Sequence, residues 1–449
     1  MPEFLTNPPQ RRVWVTLSRF LSLSLTLSLV VAPGATAQIR ARGAPSSDGA
    51  GSSPAARFGF AKDRLARVDA FLQSYVDSNR IGGAVALVLR DGNVVYERSV
   101  GWADVEGRKR MTLDGMFRIA SQSKALTSVA IMILMEEGKL TLGSPVSRFI
   151  PAFSRTAVAT RTDTGRSIVP ARRAITIRDL LTHTAGISYG TDSIVAPLYA
   201  AKGLGPEAGF GWYLADKDEL VCESMERLAT LPFVRQPGDA FVYGYNTDIL
   251  GCVVERASGM PLDKFIEARI TSPLGMTDTH FFVPETKRQR LVTLYASDTA
   301  NHAMRAPEGS RGQGHYVDGP RKDFAGGAGL VSTARDYARL LEMLRNGGEL
   351  GGVRILGRKT VELMTTNQVG TLFNPNGQGF GLGFSIVERM GADNTTHSVG
   401  TWGWGGAYGS QYRVDPVERI TWVLMINQLP NRTDLAAKFP LMVYQALVK

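Results

Sequence analysis

Residues 116–138 read MFRIASQSKALTSVAIMILMEEG, and the helix they specify is not a surface helix. From Ala125 to Met135 apolar residues cover nearly every face, until Glu136, Glu137 and Gly138 supply a polar stop. A helix that is apolar all round belongs inside a protein. At its head, Ser121 and Lys124 stand three residues apart and share one face of the first turn. A serine hydroxyl is a poor nucleophile until a base takes its proton. A lysine in a dry site near the positive end of a helix is pushed toward the neutral form that a base requires. Among the twelve lysines, Lys124 alone follows a serine by three positions. Chance gives such a spacing about once or twice in a chain of this length, so its weight comes from the buried helix. The bland alternative, a serine N-cap beside a surface lysine, does not explain the apolar faces.

The flanking segments outline a sheet. Upstream, Leu65, Val68, Phe71, Leu72, Tyr75 and Val76 recur at helical spacing between Lys62 and Asn79. A hairpin follows, with β-rich runs at 84–89 and 94–100 joined across Asp91-Gly92, a pair suited to a tight primed turn. Far downstream, 406–414 and 420–427 read as two strands around Asp415-Pro416, and 435–449 as a closing helix. Between them, helical signals at 126–137, 216–229 and 247–258 dominate. The pattern predicts an α/β (α+β sandwich) fold in which an antiparallel sheet is built from both chain ends and flanked by helices. Residues 61–104 and 323–449 would form the sheet part, and 105–322 a mainly helical insertion.

The 449 residues carry a net charge of +10, with 44% hydrophobic residues, which suffices for a large core. The arginines are scattered, without a basic stripe interleaved with aromatics, so nucleic-acid binding is not expected. Arg11, Arg12 and Arg19 precede an apolar stretch at 20–32, and Ala35-Thr36-Ala37 has the small-residue pattern of a signal cleavage site. Residues 1–37 are therefore read as a signal peptide of an exported, periplasmic or secreted, protein. Its removal takes away three arginines and Glu3, lowering +10 to +8. The apolar stretch is too short for a stable membrane span. Residues 38–60, rich in Gly, Ala, Ser and Pro, read as a flexible linker. Cys222 and Cys252 lie in helical segments, and the sequence leaves a disulfide and two free thiols both open. Neither CxxC nor HExxH occurs, so no metal site is expected.

Four phrases carry a resemblance: Met116-Phe-Arg-Ile-Ala-Ser-Gln-Ser-Lys124, Leu180-Leu-Thr-His-Thr-Ala-Gly186, Pro273-Leu-Gly-Met276 and Gly326-Gly-Ala-Gly-Leu-Val-Ser-Thr333. In this order, from about Arg64 to the C-terminus, the chain resembles the serine β-lactamase and penicillin-binding-protein superfamily, in its class C β-lactamase-like carboxylesterase branch (family VIII esterases). The resemblance implies a β-lactamase/transpeptidase-like fold and a Ser-Lys-Tyr acyl-enzyme mechanism. It places the tyrosine in Phe241-Val-Tyr-Gly-Tyr-Asn246, with Tyr243 in the catalytic position. The family's YxN pattern is not kept, because Tyr245 stands two after Tyr243 and Asn246 one further on. Sliding the match to make Tyr245 the base would put Thr247 at the asparagine place, so Tyr243 is the preferred of two readings, and Tyr245 and Asn246 are carried over as substrate-binding residues. The family's KTG motif is also missing. Gly403-Trp404-Gly405-Gly406-Ala407 resembles the WGG variant of the esterases, with Trp404, Gly405 and Gly406 at the substrate and the N–H groups of Ser121 and Ala407 as oxyanion hole. Without that lysine no cation grips a substrate carboxylate, which turns the expectation toward neutral esters.

Gly186-Ile-Ser-Tyr-Gly190 also fits GxSxG, which would make Ser188 the nucleophile. That elbow needs a strand before it and a helix after it, and neither is predicted there. His183 is expected to be a buried, hydrogen-bonded histidine, and His397 the one late histidine that could serve Ser188. The expected function is thus hydrolysis of small-molecule carboxylic esters by Ser121, Lys124 and Tyr243, without a cofactor. β-Lactam or D,D-peptide hydrolysis is the alternative chemistry. A penicillin-recognising sensor that acylates without turnover is the alternative of another class. The stretches 194–212 and 301–322 are expected to line the cleft.

Overall fold

The computed structural model describes residues 54–163, 165–206, 214 and 216–449. The expected signal peptide, most of the expected linker and residues 207–212 of the expected cleft lining lie outside the described residues. Of the linker, residues 54–57 form a helical turn and Phe60 is buried.

One eight-stranded antiparallel sheet organises the chain. Its strands are β1 (Gly83–Arg90), β2 (Asn93–Asp104), β3 (Lys109–Arg110), β4 (Gln378–Phe380), β5 (Ser385–Val387), β6 (Trp402–Gly405), β7 (Gln411–Asp415) and β8 (Ile420–Met425). They lie in the order β4-β5-β6-β7-β8-β1-β2-β3, so the two ends of the chain meet at the β8–β1 pair, as expected. Asp91 (φ 51°) and Gly92 (φ 73°) both take the left-handed conformation of the primed turn predicted between β1 and β2.

Alternation along the central strands sorts side chains into two cores. Val85, Leu87 and Leu89 of β1, with Val423 and Met425 of β8, face one. Ala84, Ala86 and Val88, with Trp422 and Leu424, face the other. The second core is closed by α1 (Lys62–Asp77) and α6 (Leu435–Tyr444), which contribute Val68, Leu72, Phe439 and Val443. The first is larger and takes in α2 (Ser123–Glu136), α3 (Val221–Ala229), α4 (Asn246–Ser258) and α5 (Ala334–Arg345). In α2 every residue from Ser123 to Leu134 is buried, as its composition requires.

Three local differences from expectation have plain causes. Of the strand expected at 406–414 only the part from Gln411 forms, because Gly406 N–H bonds Ser410 C=O and Gly409 takes φ 91°, turning the chain between β6 and β7. The helix expected from Asp216 starts at Val221, where the Glu223 carboxylate accepts the Leu220 N–H at 2.8 Å and caps it. The region 105–322 also holds an antiparallel hairpin, Ala157–Thr162 with Gly165–Pro170, whose mostly exposed strands carry little hydrophobic pattern. Cys222 and Cys252 are disulfide-bonded, with Cα atoms 5.0 Å apart, joining α3 to α4. Among the described residues no helix is long and apolar enough to cross a membrane.

Candidate active site

Ser121 lies in a single 3-10 turn, Ala120–Gln122, that leads into α2. The turn is constrained. Ala120 holds a left-handed φ of 41°, Tyr337 donates its hydroxyl hydrogen to the Gln122 carbonyl at 2.8 Å, and the Ser123 hydroxyl accepts the Leu330 N–H at 3.0 Å. Strain of this kind persists only where its surroundings enforce it.

One turn on, the Lys124 ammonium donates to Ser121 Oγ (3.3 Å), the Tyr189 hydroxyl (3.0 Å) and the Gly327 carbonyl (2.8 Å). It also lies 4.7 Å from the Tyr243 ring centroid. The lysine is buried, as expected, but its shell is made of oxygens and an aromatic face, which suit a cation. The sequence had pointed to a dry site that pushes the lysine toward its neutral form.

Tyr243 stands at the mouth of the site, where its hydroxyl oxygen accepts the Trp404 indole N–H at 3.1 Å. Its ring packs on His183, Tyr189 and Trp404 at centroid distances of 4.7, 5.8 and 5.6 Å. Gly244 separates the two tyrosines of the motif. A Cβ there would come within 2.3 Å of the Ile187 carbonyl oxygen, so the backbone presses on the 186–190 loop and Tyr245 is thrown inward. Tyr245 is fully buried, accepts the Gly205 N–H at 3.0 Å and packs against Tyr189 and Tyr199. Asn246, also fully buried, directs its amide hydrogens to His183 Nδ1 (3.0 Å) and to the carbonyls of Ile187 and Val242. Neither side chain reaches the cleft, so the substrate contact expected of Tyr245 and Asn246 is not formed; both shape the wall behind Tyr243.

His183 fits its expected role as an interior residue. Burial, together with the nearby Lys124 charge, holds its pKa well below the usual value, so the ring is neutral. Ser188 is buried, its Oγ accepting the Gly190 N–H, in a loop without the strand and helix of a nucleophile elbow. His397 bonds Asp393 at 2.6 Å and stacks on Trp422 in the core between sheet and α6, so it is not a partner for Ser188.

Trp404 and Gly405 end β6, and Gly406 and Ala407 begin the turn after it. A Cβ on Gly406 would stand 2.4 Å from the Ile119 carbonyl oxygen, so this turn rests against the backbone that carries Ser121. Phe241, Phe373 and Phe380 extend the Trp404 face into an aromatic wall.

Tyr189 is the site residue that sequence reading missed. It lies in the very phrase examined for Ser188, one residue after that serine, and burial raises its phenol well above the usual pKa. It is therefore a neutral hydrogen-bonding partner for Lys124. Among the described residues no group of three or more His, Cys, Asp or Glu side chains could hold a metal ion.

Comparison with known proteins gives the family of the chain. The family model described as Beta-lactamase matches residues 68–447. Protein Rv1367c of Mycobacterium tuberculosis is 35% identical over 392 residues, covering 82% of this chain and 91% of that protein. Esterase EstB of Burkholderia gladioli is 32% identical over 377 residues, covering 81% and 90%. Among solved structures, EstCE1, described as a hydrolase with promiscuous acyltransferase activity, superposes with a TM-score of 0.73 at 30% identity, covering 86% of this chain and 99% of that one. The chain belongs to the beta-lactamase family.

Proposed function

We propose that this protein is a serine carboxylesterase working through an acyl-enzyme. The observation that carries the reading is the contact of Lys124 with Ser121 at the head of a buried helix, under a tyrosine whose oxygen receives the Trp404 N–H. Ser121 attacks the ester carbonyl while the Lys124–Tyr243 pair handles its proton. The backbone N–H groups of Ser121 and Ala407 receive the oxyanion, and the alcohol leaves protonated. Water activated by the same pair then frees the acyl group. The similarity to EstB and EstCE1 supports ester hydrolysis. Trp404 supports a neutral ester over a β-lactam or a D-Ala-D-Ala peptide, because it offers an apolar face, its one N–H being given to Tyr243, where a carboxylate would need a cation.

Steady release of p-nitrophenol from a short-chain ester, lost in S121A and kept in S188A, is the expected result. Activity in S121A, or its loss in S188A, would refute the assignment. A single burst without turnover would support a sensor instead, and faster turnover of nitrocefin or a D-Ala-D-Ala peptide than of any ester would support the alternative chemistry.

A further inference from the structure

Asp248, in the first turn of α4, is fully buried, and no step above uses it. Its Oδ1 accepts the Gly327 N–H at 2.9 Å, and the Gly327 carbonyl accepts the Lys124 ammonium at 2.8 Å. A glycine is required at 327, since a Cβ there would come within 2.5 Å of Asp248 Oδ2. Carboxylate, peptide N–H, peptide C=O and ammonium thus alternate in sign along a short buried chain, in which each group polarises the next. Among the described residues Lys124 has no carboxylate at ion-pair distance, and Asp248 Oδ2 has no hydrogen-bond partner. A buried, half-satisfied carboxylate is costly to keep, which points to a role.

We propose that Asp248 is a positioning residue for Lys124, its carboxylate holding the amine in the ammonium form so that the Ser121 proton passes to the Tyr243 oxygen. The inference rests on the Ser-Lys-Tyr reading above. Lys124 keeps its own hydrogens, and its charge steadies the phenolate that receives the proton. Burial raises the Asp248 carboxyl to about 6, opposed by the Lys124 charge and the Gly327 N–H, so it is ionised at pH 8. Asp323, which also faces Asp248, is pushed well above the usual carboxyl range by burial and by the Asp248 charge. The remaining titratable neighbours are the phenols Tyr189 and Tyr245, both raised by burial, while His183 near Lys124 is neutral. Asp248 is therefore the carboxylate whose charge Lys124 senses near neutral pH.

The experiment is the pH profile of kcat/KM for p-nitrophenyl acetate in the wild type, D248N, D323N and S121A. Loss of a buried negative charge beside a titrating pair makes that pair release its protons more readily. In D248N both limbs of the profile are expected to move to lower pH by about one unit. D323N, which alters a carboxyl bonded to Ser224 and not to Gly327, leaves them in place. A purely structural role for Asp248 lowers kcat/KM by one factor at every pH without moving either limb, and that result overturns the inference. If D248N does not fold, selective 15N-lysine labelling of the wild type gives the answer. The Lys124 Nζ resonance, assigned by its absence in K124R, is expected at the ammonium position at pH 8, and an amine resonance there overturns the inference equally. A hydrolytically active S121A removes the underlying reading, whereas an inactive S121A with unmoved D248N limbs removes only the role of Asp248.

Discussion

Replacing Trp404 with phenylalanine removes one hydrogen-bond donor and little else. The ring of Trp404 meets Phe380 edge-on at 5.3 Å and Phe373 at 6.1 Å, contacts that a phenyl ring at the same Cβ largely keeps. What disappears is the N–H aimed at the Tyr243 oxygen from 3.1 Å. To a neutral phenol that bond contributes about 1 kcal/mol. To the phenolate that takes the Ser121 proton it contributes about 2–2.5 kcal/mol. The difference, about 1–1.5 kcal/mol, favours the proton-accepting form, so near neutral pH W404F is expected to lose about 5–12-fold in kcat. KM should change little, because the bond present in the ground state is not made to the ester. Stopped-flow or steady-state release of p-nitrophenol from the acetate ester measures both constants. W404A, which also opens a cavity in the aromatic wall, should lose KM as well. An unchanged kcat in W404F, or a loss confined to KM, would refute the view that the indole serves Tyr243 and return Trp404 to the role of a simple apolar wall.

Two further outcomes follow from the same geometry. Y189F deletes one of three oxygen partners of Lys124, a bond worth about 1–1.5 kcal/mol, and is expected to lower kcat about 5–12-fold, whereas Y243F, which removes the proton acceptor, should cost 100-fold or more; equal losses in a side-by-side assay would show that the two phenols share one role. The disulfide closes 30 residues between α3 and α4, for which loop entropy gives about 3–4 kcal/mol, so dithiothreitol should lower Tm in calorimetry, and an unchanged Tm would show that the bond is not formed in solution.

The parts of this protein that sequence reveals are those in which local chemistry and global position agree. The Asp91-Gly92 turn needs left-handed backbone at both residues, and few other dipeptides offer it, so the β1–β2 hairpin could be read directly. The all-apolar helix after Ser121 could only be interior. The family's motifs carried over the nucleophile, its lysine and Tyr243, but not the side of the chain on which each neighbouring residue falls. Tyr245 and Asn246 occupy motif positions, yet the close approach of Gly244 to the 186–190 loop turns them inward, a tertiary fact with no local signal. Tyr189 was hidden by its own phrase, in which the serine drew the attention. Gly327 meets Lys124, and Asp248 meets Gly327, only because two distant segments cross the lysine's helix, and spacing along the chain cannot report that. The cysteine pair was undecidable for a similar reason, since periodicity gives each helix a buried face but not the phase of one against the other.

The β8–β1 seam has a consequence in time as well as space. Strand β1 pairs through Val85–Arg90 with residues 420–425, some 330 positions later in the chain. At a synthesis rate of about 5–20 residues per second, roughly 16 to 66 seconds separate the emergence of β1 from that of its neighbour. Throughout that interval one edge of the β1–β2 hairpin presents unpaired amides and carbonyls, and Val85, Leu87 and Leu89 have nothing permanent to rest on. The nascent chain thus carries an open strand edge until its last strand arrives, and removal of the final 30 residues would leave not a shorter enzyme but an unfinished one.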